Sequence, residues 1–245
     1  MLVEILKKIS VMLSEPGSLI ASIKWTKFSL TSYRMLSSLR KQGLRPKTII
    51  DVGANVGQFA VASANIYPES KIYSFEPLPD CYSKLKKNSR PYNNITVTQV
   101  ALGDEVGSVT FNVNIHSHSS SILPLSENHK KSFPDAEVSH EIEVEVNTLD
   151  DVLRDVTMAS PVLLKIDVQG YESQVLNGSQ KTFERVDYVI LESSFKPMYE
   201  GELLFFEIID QMEKYGFRFD RPVGWLESED TGEIVQMDML FCKSV

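Results

Sequence analysis

The chain has 245 residues, 42% of them apolar and 24% charged, with a formal net charge of −8, which is enough apolar material for one sizeable buried core and excludes a disordered or fibrous class. The charge is unevenly divided: residues 1–47 carry nine Lys/Arg against two acids, and the remainder carries 16 against 31. An acidic body argues against nucleic acid as a partner, because phosphate affinity rests on basic surface.

Leu2, Ile5, Leu6, Ile9, Met12 and Leu13 recur at helical spacing, and a second helical pattern runs from Leu19 to Leu39, with Gly43 as its stop. Residues 1–47 therefore read as an N-terminal helical extension whose apolar faces cover the body. The alternative is a basic surface making peripheral contact with anionic lipid or a phosphate-bearing substrate. Glu4, Lys7, Lys8 and Glu15 interrupt the apolar stretch and no small-residue cleavage site follows. Neither a signal peptide nor a spanning helix is expected, and the expected address is the cytoplasm. Cys81 and Cys242 lie far apart without metal-type spacing and read as packing residues in a reducing compartment.

From residue 48 to 245 short β-branched runs alternate with helical stretches, the pattern of βαβ units and a parallel sheet. Strands are expected at 48–52, 71–75, 95–100, 162–168, 187–191 and 236–242. Residues 104–160 depart from this pattern. There VTFNVN and IEVEVN flank HSHSSSILPLSENHKKSFP, which predicts a β-hairpin insertion carrying a long loop, a common form of active-site cover. His116 and His118 within it read as a polar loop end rather than as metal ligands.

The first strand runs into a loop, TIIDVGANVGQFA, at 48–60. Glycines after a strand and before a helix permit a tight turn, a close ligand approach and free helix N–H groups. Gly53 and Gly57 match neither GxGxxG nor a P-loop, so the loop is not built for a pyrophosphate. Glu76 ends the second strand 19 residues after Gly57, where a carboxylate grips a ribose diol with charge-assisted hydrogen bonds worth roughly 1.5–3 kcal/mol each. A ribose without a pyrophosphate points to S-adenosylmethionine. A cap on the following helix is the competing account of Glu76, and a dinucleotide-dependent oxidoreductase is the rival enzyme class.

Ligands of open α/β sheets sit where strand order reverses, here between the first and fourth strands, where Asp51 and Asp167 converge. Strand alternation puts Lys165 beside Asp167, and a lysine inside VLLKIDV must be paired or functional. Asp167 or Glu192 is the candidate proton acceptor, with Lys165 holding the carboxylate or polarising the acceptor oxygen. The alternative is a buried ion network that only braces the sheet. These carboxylates are compatible with a divalent metal, but no spacing indicates one.

The ordered set DVGANVG (51–57), FEP (75–77), VALGD (100–104), the serines 119–121, NTLDDVL (147–153), LLKIDVQGYESQVLNG (163–178), VILESSFKPMYEGE (189–202) and QMDMLF (236–241) resembles the FkbM family of S-adenosylmethionine-dependent methyltransferases. The resemblance implies a class I methyltransferase, Rossmann-like, with a mostly parallel seven-stranded sheet and an antiparallel last strand. It implies O-methylation of a hydroxyl, often on a sugar, glycan or natural product. It also implies that Ala101 and Leu102 flank the adenine while Gly53, Asn55 and Gly57 face the methionine end. Asp51 joins the cofactor set beside Asp167. Ser119, Ser121 and His129, in the insertion over the expected mouth, and Tyr199, after the fifth strand with Glu202, are candidate acceptor contacts. A methyltransferase-like binding module without catalysis is the non-enzymatic alternative.

Overall fold

The computed structural model describes residues 12, 14–114, 121–123, 138–228 and 231–244. Helices α1 (Ser18–Lys24) and α2 (Leu30–Lys41) lead into β1 (Thr48–Val52), α3 (Gln58–Ile66), β2 (Lys71–Phe75), α4 (Pro79–Ser89) and β3 (Ile95–Thr98). Next come β4 (Ala101–Leu102), β5 (Gly107–Asn114), β6 (Val138–Asn147) and α5 (Leu149–Val152). The chain then continues through β7 (Val162–Ile166), α6 (Glu172–Asn177), α7 (Gln180–Phe183), β8 (Tyr188–Ser194), α8 (Phe205–Lys214), β9 (Phe217–Glu227) and β10 (Ile234–Lys243).

Seven strands form one sheet in the order β3-β2-β1-β7-β8-β10-β9, and β4-β6-β5 form a second, smaller sheet. Strand β10 is antiparallel to both β8 and β9, while the pairings from β3 to β8 are parallel. This is the class I methyltransferase arrangement, with strand order reversing between β1 and β7. Strands β1 and β7 are buried along their whole length, as central strands covered on both faces must be. On one face Ile50, Val52, Leu164 and Ile166 pack with Leu176, Ile208 and Met212; on the other Ile49 and Leu163 pack with Leu36 and Leu39 of α2 and Phe59 of α3. Each such side chain contributes about 1.5–3 kcal/mol on full burial.

The helical pattern over 19–39 is broken in the structure. Trp25 is extended and closes α1, and Ser29 starts α2 anew by accepting a hydrogen bond from the Ser32 N–H at 3.3 Å. Trp25, Phe28 and Tyr33 meet as an aromatic cluster, with ring centroids 5.5–6.0 Å apart, which a continuous helix would have spread around its circumference. The first expected helix lies almost wholly outside the described residues. Strand β9 carries no clear strand signal because Pro222 and Gly224 interrupt it. An edge strand tolerates both, since only one side needs backbone donors. Among the described residues no helix is long and apolar enough to cross a membrane.

Candidate functional site

The carboxyl ends of β1, β2 and β7 meet at the Gly53 loop. The Gly53 and Ala54 N–H groups donate to the Phe75 carbonyl at 3.1 and 3.0 Å, tying the loop to the end of β2. Gly53 has φ +78, and a Cβ there would lie 1.8 Å from the Asp167 carbonyl oxygen, so only glycine lets the ends of β1 and β7 come this close. Asn55, itself at φ 49, donates its N–H to Glu76 Oε2 at 2.8 Å, and the Leu78 N–H donates to Glu76 Oε1 at 3.0 Å. Burial raises the Glu76 pKa to about 7 despite these two donors. Glu76 is thus a buried carboxylate with two fixed oxygens, each with a lone pair left to accept.

A cavity of about 290 Å³ opens beside this loop. Gly53, Asn55, Glu76, Ala101 and Leu102 line it towards β2 and β4, and Asp51, Lys165, Asp167, Glu192 and Asp238 line it towards β8 and β10. Phe59 and the first turns of α2, through Thr31, Ser32 and Met35, close it on the helical side. Gly57 is not part of this wall. It holds φ +94 at the start of α3, and a Cβ there would lie 2.9 Å from Leu85 of α4, so its role is the turn and the packing of two helices rather than ligand approach.

The charged residues form one network. Lys165 Nζ donates to Asp167 Oδ2 at 2.8 Å and lies 5.4 Å from the centroid of the Phe59 ring. Burial alone would lower the Lys165 pKa, but Asp167, Asp51 and Asp238 outweigh it and hold the ammonium above its ordinary value. Asp51 is raised to about 6 by complete burial, with Lys165 opposing the shift. Glu192 is raised well above the carboxylate range by burial and then by Asp167 and Asp238. Burial also lifts Asp238 to about 6.

Gln169, at φ 59, joins the two candidate proton acceptors: its Nε2 donates to Asp167 Oδ1 at 2.7 Å and to Glu192 Oε2 at 3.1 Å. Gln236 Nε2 reaches the same Glu192 oxygen at 3.3 Å. Glu172 receives the Val168 N–H at 3.0 Å, and its pKa is pushed up to about 8, chiefly by burial. The sequence reading did not single out Gln169, Gln236 or Asp238. Asp238 is the register partner of Glu192, and only the antiparallel alignment of β10 with β8 brings it to the site.

Two expected acceptor contacts sit behind the cavity wall instead. Tyr199 is fully buried and donates its hydroxyl to Gln169 Oε1 at 2.8 Å. Ser121, also fully buried, donates to the Gln169 carbonyl at 2.5 Å. Both brace the Gln169 turn, and Glu202 in turn accepts from the Tyr199 N–H at 3.2 Å. Ser119, His129, His116 and His118 lie outside the described residues. Among the described residues no group of three or more His, Cys, Asp or Glu has the geometry of a metal site.

The site fits S-adenosylmethionine. Glu76 offers acceptors for a diol, Ala101 and Leu102 offer buried apolar surface for a base, and the acidic cluster suits a cationic sulfur. Asp51 Oδ1 is buried without a hydrogen-bond partner, and Asp51 lines the same cavity.

The methyltransferase FkbM domain matches residues 51–219. The 2-O-methyltransferase NoeI of Sinorhizobium fredii is 27% identical over 202 residues, covering 80% of this chain and 82% of that protein. The methyltransferase sdnD of Sordaria araneosa is 31% identical over 186 residues, covering 63% and 71%. The hexuronic acid methyltransferase AglP of Haloferax volcanii is 27% identical over 147 residues, covering 58% and 54%. The match sets aside a dinucleotide-dependent oxidoreductase: the chain belongs to the FkbM family of S-adenosylmethionine-dependent methyltransferases.

Proposed function

We propose that the chain methylates a hydroxyl of a sugar-bearing acceptor. The observation that carries this reading is the continuity of one cavity from Glu76 and the Gly53 loop to the Lys165, Asp167, Glu192 and Asp238 cluster. S-adenosylmethionine supplies an electrophilic methyl group. Glu76 receives the ribose hydroxyls, and Ala101 and Leu102 flank the base. As the oxygen–methyl bond forms and the methyl–sulfur bond breaks, with S-adenosylhomocysteine as the leaving group, the acceptor's proton passes to Asp167, with Glu192 the neighbouring carboxylate able to take the role. Lys165 compensates the charge on Asp167 and fixes its position through the 2.8 Å contact. Gln169 spaces the two carboxylates, and α2 with Phe59 limits water. Alignment of acceptor and methyl in such a site can supply roughly 7–11 kcal/mol of the barrier.

The names of NoeI and AglP, a 2-O-methyltransferase and a hexuronic acid methyltransferase, support oxygen as the acceptor atom and a sugar as its carrier. An activity screen with methyl-labelled S-adenosylmethionine across glycans, lipid-linked sugars and small hydroxylated metabolites tests the reading. Mass spectrometry should find label on a sugar oxygen; label only on nitrogen, carbon or a non-sugar hydroxyl would overturn it.

A further inference from the structure

The wall formed by α2 has a second side. Thr31 and Met35, one helical turn apart, line the cavity, and the same two residues line a groove of about 490 Å³ between α2 and β9. In that groove Gly224 is the register partner of Asp238, and a Cβ at 224 would lie 2.4 Å from Asp238 Oδ2. The missing side chain therefore brings the groove up against a carboxylate that also lines the cavity. Trp225, 59% exposed, forms another part of the groove, its ring oriented by Nε1 donating to Glu227 Oε1 at 2.9 Å.

An exposed indole beside polar groups suits one kind of ligand better than others. Arg34, paired with Glu15 at 2.9 Å, and Arg221, paired with Asp220 at 2.7 Å and with Gln42, line the same groove. A purely apolar ligand would cover the ring but desolvate these donors without replacing their hydrogen bonds, which is costly. A pyranose ring presents a C–H face to the indole and hydroxyls, or a carboxylate, at its rim. The shared residues Thr31 and Met35, together with Gly224 against Asp238, put the groove directly beside the cavity and give that ring a direction.

We propose that the groove between α2 and β9 is the acceptor subsite for an oligosaccharide. One sugar stacks on Trp225, and another unit of the same chain reaches past Thr31 and Met35 towards Asp167. This rests on the sugar-methyltransferase reading above and adds where, and by which residues, the acceptor is held beyond the reacting hydroxyl.

The test uses the full chain, Trp225→Ala and Trp225→Phe, each saturated with S-adenosylhomocysteine, on a printed array of neutral and uronic-acid-bearing oligosaccharides. Calorimetry of S-adenosylmethionine binding runs in parallel. The wild type should bind at least one oligosaccharide class. Trp225→Ala should weaken that binding at least tenfold, Trp225→Phe should retain most of it, and cofactor affinity should be equal in all three. Undiminished saccharide binding by Trp225→Ala overturns the subsite, and so does a wild type that binds no saccharide on the array. Absence of cofactor binding by the wild type would instead defeat the methyltransferase reading, and calorimetry reports it independently of the array.

Discussion

Asp51 and Lys165 are register partners on the adjacent central strands β1 and β7. Each is the charged exception in a five-residue strand that is otherwise apolar or, at Thr48, uncharged, and both lie on the face covered by α2 and α3. The lysine is the cation that compensates Asp51, Asp167 and Asp238 together. Lys165→Met should therefore leave several buried carboxylates uncompensated and destabilise the protein by about 3–5 kcal/mol. Urea unfolding should show the loss at pH 8 and a smaller one at pH 5.5, where the carboxylates can take up protons. An equal loss at both pH values would mean that packing, not charge, sets the cost.

The same carboxylates make a prediction about pH. Asp51 and Asp238 are raised to about 6, Glu76 to about 7 and Glu172 to about 8, in every case mainly by burial. An unfolded chain releases these protons near pH 4, so between roughly pH 4 and 8 the folded state holds more protons than the unfolded one. By linkage, stability falls as pH rises through that window. Lys165 is protonated in both states there and adds no slope. Thermal denaturation should give a higher midpoint at pH 5.5 than at pH 8, and Asp51→Asn should flatten the dependence. A midpoint that climbs from pH 5.5 to 8 would contradict the assignment.

Glu76 was legible in the sequence because strand, glycine turn and helix follow one another locally, so spacing alone places a carboxylate beside the loop. Lys165 and Asp167 were legible for a similar reason, since alternation within one strand fixes which residues share a face. Asp238, Gln236 and Gln169 were not. Asp238 depends on the register of two strands separated by a helix and by β9, and Gln169 depends on an unusual positive φ that a glutamine does not announce. Ser121 and Tyr199 meet Gln169, and loop sequence cannot tell a residue that faces the cavity from one that props the wall behind it. The edge strand β9, which carries Trp225, was hidden by its own proline and glycine.

Glu76 should control cofactor affinity. Glu76→Ala should weaken S-adenosylmethionine binding more than tenfold without unfolding the chain, each lost charge-assisted hydrogen bond being worth roughly 1.5–3 kcal/mol. Because burial holds the free carboxyl near pH 7 and a ribose diol donates to the ionised form, affinity should also fall as pH drops below about 7. Glu76→Gln should abolish that pH dependence. Calorimetry from pH 5.5 to 8 reads both effects, and unchanged affinity in Glu76→Ala removes it from the site.

Tyr199 and Gln169 should act through position. Tyr199→Phe deletes the 2.8 Å hydrogen bond to Gln169 Oε1, a loss of about 1 kcal/mol, and should lower kcat modestly with little change in cofactor affinity. Gln169→Leu removes the donor shared by Asp167 and Glu192. With less compensation the two carboxylates should hold their protons to higher pH, so the acid limb of the kcat/KM profile should move upward. If both variants lose only thermal stability and keep the wild-type profile, the pair is structural.

Asp167 and Glu192 compete for the same role, and their surroundings separate them. Asp167 is held by Lys165 at 2.8 Å and by Gln169 at 2.7 Å, whereas Glu192 shares glutamine donors and is pushed upward, chiefly by burial. A group that receives the acceptor proton must present an ionised oxygen, and the direct ammonium contact of Lys165 favours that form at Asp167. Asp167→Asn keeps the shape and deletes the charge, so single-turnover methyl transfer under saturating cofactor should fall by at least a hundredfold, the scale expected for general-base loss. Cofactor affinity decides what that fall means: a carboxylate that only orients the methionine end loses affinity when neutralised, whereas a proton acceptor loses the rate of the chemical step. Glu192→Gln should be the milder variant, with its largest effect at high pH. Near-normal single-turnover rates in Asp167→Asn, together with a collapse in Glu192→Gln, would pass the role to Glu192 and leave Asp167 as the group that positions Lys165.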